Sequence, residues 1–207
     1  MYHELFGDAT FWTFLFSIDQ DLAKASRADR CPACGCQLHC ANYPRKPRGP
    51  RKLPDEYRYR LSFCCGRDGC RKRVTPPSVR FLGRKVYLGA VVILVSAMRQ
   101  GPTPRRVREL TKLFGVSRET VYRWREFWNE HFPKTTFWSI ARARLVPVVE
   151  IAEFPRSLLE AFVTAGDDRD GWGKLLRFLS PISTTKGLAI KVSEDFPKPA
   201  EDADRRG

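Results

Sequence analysis

Seven cysteines lie between Cys31 and Cys70 of this 207-residue chain, and their spacing sets the first chemical expectation. Cys31-Pro32-Ala33-Cys34 followed by Gly35 reads as a knuckle. Two thiolates three positions apart converge on one ion, and the glycine lets backbone amides wrap around the sulfurs. A four-coordinate site needs a second pair. Cys65 and Cys70, bracketing Gly66-Arg67-Asp68-Gly69, supply it. Cys64 can stand in for Cys65, and His39 or Cys40 can compete as ligands. An odd cysteine count in a chain whose first residues lack a secretory pattern speaks against a disulfide framework. The reading is structural Zn2+ on Cys31, Cys34, Cys65 and Cys70. A catalytic zinc keeps an open position beside an acid or base, and the His-x-Glu that zinc deaminases require does not precede Cys31.

The acidic residues offer less. Glu150, Glu153 and Glu160 are near neighbours on helices or loops, and Asp167-Asp168-Arg169-Asp170-Gly171 reads as a solvated turn. Two-metal chemistry needs carboxylates held rigidly on converging elements. No strand series is there to hold them, so the chain is not expected to be an enzyme.

Recognition chemistry is concentrated from Pro104 to Trp128. Val107, Leu110 and Phe114 give one helix an inner face, Gly115 suits a turn at positive φ, and Ser117 caps a second helix. Val121, Trp124 and Trp128 should face the core. Arg118, Glu119, Thr120, Tyr122, Arg123 and Glu126 are then left exposed on the side that would enter a major groove. Arg118 and Arg123 suit guanine or phosphate, and Thr120 suits a thymine methyl or a phosphate. Arg105, Arg106 and Arg108 on the first helix are placed for backbone contact.

Around these residues the chain must supply supports. The expected fold is mainly α with a small β zinc ribbon and a helix-turn-helix core. The boundaries read as a packing helix in 1–30, the ribbon with a basic Pro-rich insert in 31–78, the helix-turn-helix unit in 79–133, a helical region in 134–192 and a disordered tail in 193–207. Asp8 can cap a helix from Ala9 to Arg27, with Phe11, Phe14, Leu15, Ile18, Leu22 and Ala25 on one face and Trp12 and Phe16 widening it. Tyr57 to Phe63 alternates and reads as a strand into the second knuckle. Gly83 to Arg99 reads as a buried support helix. Phe137–Val146, Pro155–Val163 and Trp172–Leu179 read as further helices, which either pack on the N-terminal helix or form a dimer surface.

Charge identifies the partner class. The formal net charge is +14, and 14 of the lysines and arginines fall between Ala41 and Lys85 against three acids. Such an excess favours a polyanion. Between the knuckles, Tyr43 to Leu53 carries Arg45, Lys46, Arg48, Arg51 and Lys52, and four prolines in Tyr43–Pro54 argue against helix and ladder pairing there. Arg71, Lys72 and Arg73 directly follow the last cysteine and suit phosphate contact. The longest apolar run, Tyr87–Met98, is far short of the roughly 20 residues that span a bilayer. No membrane partner is expected, and the compartment reads as cytoplasmic, on the nucleoid.

With these motifs in order, the chain resembles the zinc-ribbon plus helix-turn-helix front end of bacterial insertion-sequence transposases, and related mobile-element-associated proteins. The resemblance rests on Cys-Pro-x-Cys-Gly, the second cysteine pair running into Cys70-Arg71-Lys72-Arg73, and Gly115-Val116-Ser117-x-x-Thr120-Val121-x-Arg123-Trp124. It covers about residues 31–128, and departs in the four-residue spacing of the second knuckle. It implies a sequence-specific double-stranded DNA-binding protein acting as regulator or accessory factor, with mobile-element proteins or a second copy of the chain as further partners. The alternatives are a minimal transposase or recombinase subunit, and an RNA- or protein-binding ribbon module.

Overall fold

The computed structural model describes residues 7–47, 53–82, 88–96, 103–145, 149–163 and 168–184. These residues are mainly helical, with two small antiparallel sheets near the cysteines. Helix α1 spans Ala9–Ala28, and Asp8 caps it by accepting from the Thr10 amide. The Thr10 hydroxyl also donates to Asp8, and these bonds hold its carboxyl below the usual range. Phe11, Trp12, Leu15 and Ile18 are buried as their spacing predicts, but Ala23 and not Ala25 completes the face. Ala23 sits in a small core with Cys31, Leu38, Phe63 and Cys65.

Two antiparallel sheets follow. β1 (Leu38–Cys40), β4 (Phe63–Cys65) and β5 (Arg73–Val74) form one, in the order β1-β4-β5. β2 (Tyr43–Pro44) and β3 (Tyr59–Arg60) form the other. The single strand expected over Tyr57–Phe63 is therefore corrected. Asp55–Arg58 is a 3-10 turn, and β3 and β4 belong to different sheets. The break has a cause. The buried Tyr57 ring packs edge-on against Trp12 of the helical core, while the Ser62 amide leaves the ladder to bond the Asn42 side chain. Pro44 is a second correction, since it does pair, opposite Tyr59. A proline is tolerated on an edge strand, where its missing N–H breaks no inner ladder bond. Residues 48–52 of the basic insert, Arg48 among them, lie outside the described residues.

Helix α2 spans Gly89–Ser96. Leu88 forms an isolated bridge with Phe81, so the described helix begins after it; the remainder of the expected Gly83–Arg99 helix lies outside the described residues. Ala90, Val91, Val92 and Ile93 are all buried, as expected of a support, and α2 packs against the helix carrying Arg118. Helices α3 (Pro104–Phe114) and α4 (Arg118–Glu126) are joined by Gly115-Val116-Ser117. The helix expected to run to Trp128 widens into a π turn over Phe127–His131 and tightens over Phe132–Lys134, where Pro133 has no amide to continue it.

The C-terminal helices are α5 (Thr136–Ala141), α6 (Arg156–Phe162) and α7 (Asp168–Leu179). α5 is shorter than the Phe137–Val146 expectation, and Arg142–Arg144 turn as 3-10. Asp168 to Gly171 form the first turn of α7, which corrects the loop expected there. α1 packs on α7, and one core joins Phe11 and Trp12 to Val121, Trp128, Trp138, Leu158, Trp172 and Ile182. Gly173 permits that approach, because a Cβ there would lie 2.7 Å from Phe14 Cζ. The expected tail from Ser193 lies outside the described residues.

One buried network ties the sheets to the helices. Asp19 of α1 accepts from Ser78 Oγ (2.6 Å), the Val79 amide (2.7 Å) and Arg80 Nε (2.7 Å). Both members of the ion pair are fully enclosed. Arg80 also donates to the carbonyls of Glu56 and Tyr59, and its guanidinium lies within about 5 Å of the Phe16, Tyr57 and Phe81 rings. Such a pair is tolerated inside only when its remaining hydrogen-bonding capacity is met.

Candidate functional site

The four cysteines expected to act together do come together. The sulfurs of Cys31, Cys34, Cys65 and Cys70 all lie within 4.8 Å of one another. Cys31 and Cys70 are 3.8 Å apart, and Cys34 and Cys65 are 3.4 Å apart. A tetrahedral ion with metal–sulfur bonds of about 2.3 Å puts its sulfurs roughly 3.8 Å apart, so the donor set fits one four-coordinate metal. Local turns build each half. The Gly35 amide donates to the Cys31 carbonyl and Gly35 takes φ +69°; Gly69 takes φ +83° ahead of Cys70. The Arg67 amide donates to Cys65 Sγ at 3.4 Å.

Strand alternation decides between Cys64 and Cys65. Successive side chains on a strand face opposite sides. Cys65 is paired with Leu38 and faces the buried side, whereas Cys64 is paired with His39 and bonds the Arg71 carbonyl. His39 and Cys40 are not members of the cluster. The His39 ring closes over Gly66, where an added Cβ would lie 2.5 Å from its Nε2.

The thiols are electrostatically linked. An amide hydrogen bond from Cys36, followed by the Cys65 thiol, brings Cys34 down to about 6. At Cys65 the Arg67 amide favours the thiolate, but burial and the thiols of Cys34, Cys70 and Cys31 outweigh it and push the group up to about 12.

The second set of expected residues lies on α3 and α4. Gly115 takes φ +62°, and Ser117 Oγ accepts from the Thr120 amide at 3.3 Å. Val116, Val121, Trp124 and Trp128 are buried, which turns Arg118, Glu119, Tyr122, Arg123 and Glu126 outward. Thr120 is the correction. It is 4% exposed, its hydroxyl held between Ser117 Oγ and Arg123 Nη2, so it orients the arginine from within and presents no methyl to a ligand. Arg118 lies over the Tyr122 ring at 5.4 Å and donates to its hydroxyl. The Glu119 backbone amide, together with the Ser117 hydroxyl, holds the Glu119 carboxyl below its usual range. A groove of about 570 Å³ separates the two helices, lined by Val107, Arg108, Thr111, Lys112, Ser117 and Arg118 among others. Arg105 is exposed and pairs with Glu109; the Arg106 side chain lies outside the described residues.

No family model matches this sequence, and no curated protein or solved structure is similar to it. The residues carry the functional argument alone.

The basic residues beside the cysteines divide by what they touch. Lys46 and Lys72 are exposed, and Arg71, at φ +43°, pairs with Asp68 on the surface. Arg73 donates to the Ala41 carbonyl and to Ser62 Oγ, bracing the sheet, and shares the Tyr43 ring with Arg45. Sequence reasoning missed Asp19, Arg60 and Arg80. Asp19 carried a usable signal: it falls four residues after Leu15 and eight after Phe11, on the apolar face of α1. An acid placed there needs a buried partner.

Proposed function

We propose that this chain is a sequence-specific double-stranded DNA-binding protein, serving a mobile element as regulator or accessory factor. α3 and α4 act as a helix-turn-helix, and Cys31, Cys34, Cys65 and Cys70 hold a structural Zn2+. The observation that carries the reading is the sidedness of α4: its buried face is fully used by Val121, Trp124 and the residues behind them, leaving Arg118, Tyr122 and Arg123 on the outer face. Arginines on such a face suit bidentate contact with guanine, and the serine-capped start of α4 suits a phosphate. Zinc suits four thiolates, being indifferent to d-electron geometry and thiophilic. Its role is to close the knuckles, holding Lys72 and Arg73 beside a duplex. The net charge of +14 supplies the attraction.

The direct test is selection from a pool of random duplex DNA by the zinc-loaded chain. A shared motif of a few base pairs should emerge. A pool that stays random after repeated rounds would overturn the reading of bases.

A further inference from the structure

We propose that the cleft between the cysteine-held sheets and the helical body binds a phosphate group carried by a nucleotide, a role separate from duplex reading by α4. The cleft measures about 700 Å³ and is walled by the end of α1, by β2, β3 and β5, and by Ser183 and Thr184. That volume lies in the range of small-ligand sites and leaves room for more than the phosphate itself. Arg30, Arg45, Arg60, Lys72 and Arg73 line it, against one carboxylate, Asp29. Like charges gathered in a cleft repel one another and focus a positive field, which an anionic occupant relieves.

Arg60 is the deciding residue. It is 3% exposed, its Nη2 donates to the Pro76 carbonyl, and its buried Nη1 has no hydrogen-bond partner. Arg80, equally buried, is matched by Asp19 and by two carbonyls. Arg60 has no such ion pair among the described residues: Asp19 favours its charge only from a distance, being bonded to Arg80, and burial outweighs that help and lowers the pKa of Arg60. The wall beside it is prearranged. Arg45 and Arg73 lie on the Tyr43 ring at 5.1 and 5.5 Å, and Arg45 also donates to the Tyr43 hydroxyl. Planar guanidiniums held this way suit the oxygens of a phosphate, and a phosphomonoester brings nearly two negative charges to offset the cluster. The phosphate is that of a free mononucleotide or of a strand end, which share this chemistry.

The test uses the full zinc-loaded chain in two arms. One compares a short single-stranded DNA carrying a 5′-phosphate with the same strand ending in a 5′-hydroxyl. The other compares deoxyadenosine 5′-monophosphate with deoxyadenosine. The phosphate should tighten binding about tenfold or more in at least one arm, and the arm that responds identifies the source. Arg60→Gln should abolish the difference. Because that variant can fail to fold, the exposed pair Arg30→Gln with Lys72→Gln is measured beside it and should reduce the difference several-fold. Equal affinity with and without phosphate in both arms would overturn the proposal, and so would a difference unchanged in the exposed pair. Duplex selection with the unsubstituted zinc-loaded chain succeeds or fails independently of both arms, so loss of one reading is distinguishable from loss of the other.

Discussion

Individual residues show which buried polar groups hold the fold together. Asp19 and Arg80 are structural, each satisfying the other inside the core. Asp19→Ala would leave the Arg80 guanidinium buried without its counter-charge, a loss of about 3–5 kcal/mol. Denaturant unfolding of the zinc-loaded variant checks this, and a loss below 1 kcal/mol would mean that the pair contributes little. The thiols make a second residue-scale prediction. Cys31→Ser should abolish metal retention, and Cys64→Ser should leave it intact, because Cys64 faces the other side of β4 and bonds the Arg71 carbonyl. Metal content measured on both purified variants decides. The reverse pattern would move the site.

At the scale of elements, the parts most readable in advance were those defined by local chemistry. The Asp8 cap, the Ser117 cap, the Gly115 turn and the Cys-x-x-Cys knuckle each satisfy backbone groups within a few residues, so the pattern nearly determines the geometry. The errors fall where distant contacts outweigh local preference. The Tyr57 side chain leaves the strand pattern because it fits against Trp12, 45 residues earlier, and its hydroxyl reaches the Trp12 carbonyl. Thr120 looked like an outward residue on helical spacing, yet it is enclosed by the turn that its own amide helps cap. Asp168 to Asp170 read as a loop on polarity, yet they open α7, whose Gly171 lies against the Phe162 backbone. A Cβ at Gly171 would meet the Phe162 carbonyl oxygen at 2.6 Å. Gly171→Ala should therefore cost about 1–3 kcal/mol through overpacking, despite its better helix propensity. A stabilised variant on thermal melting would show that α6 and α7 have slack.

For the molecule as a whole, the helical elements at both ends of the described chain enclose the unit that presents α4. Phe132 joins the end of the α4 unit to the C-terminal region, touching Trp128 on one side and Trp138 and Phe154 on the other, and α7 carries the packing on to α1. This joining could not be read from the sequence, since an amphipathic helix announces that it will be buried without saying against what. Charge, in contrast, was readable directly and predicts a bulk property. The logarithm of duplex affinity should fall linearly with the logarithm of salt concentration, with a slope of about −0.9 for each phosphate contacted. A flat response would contradict an electrostatic grip. The central claim, that the outer face of α4 reads bases, is tested most directly by comparing Arg118→Ala with Arg123→Ala on a duplex carrying the selected motif and on an unrelated duplex of equal length. At least one variant should lose about 1–3 kcal/mol on the motif and much less on the unrelated duplex, so that specificity collapses before affinity does. Equal losses on both duplexes, or none on either, would contradict the claim.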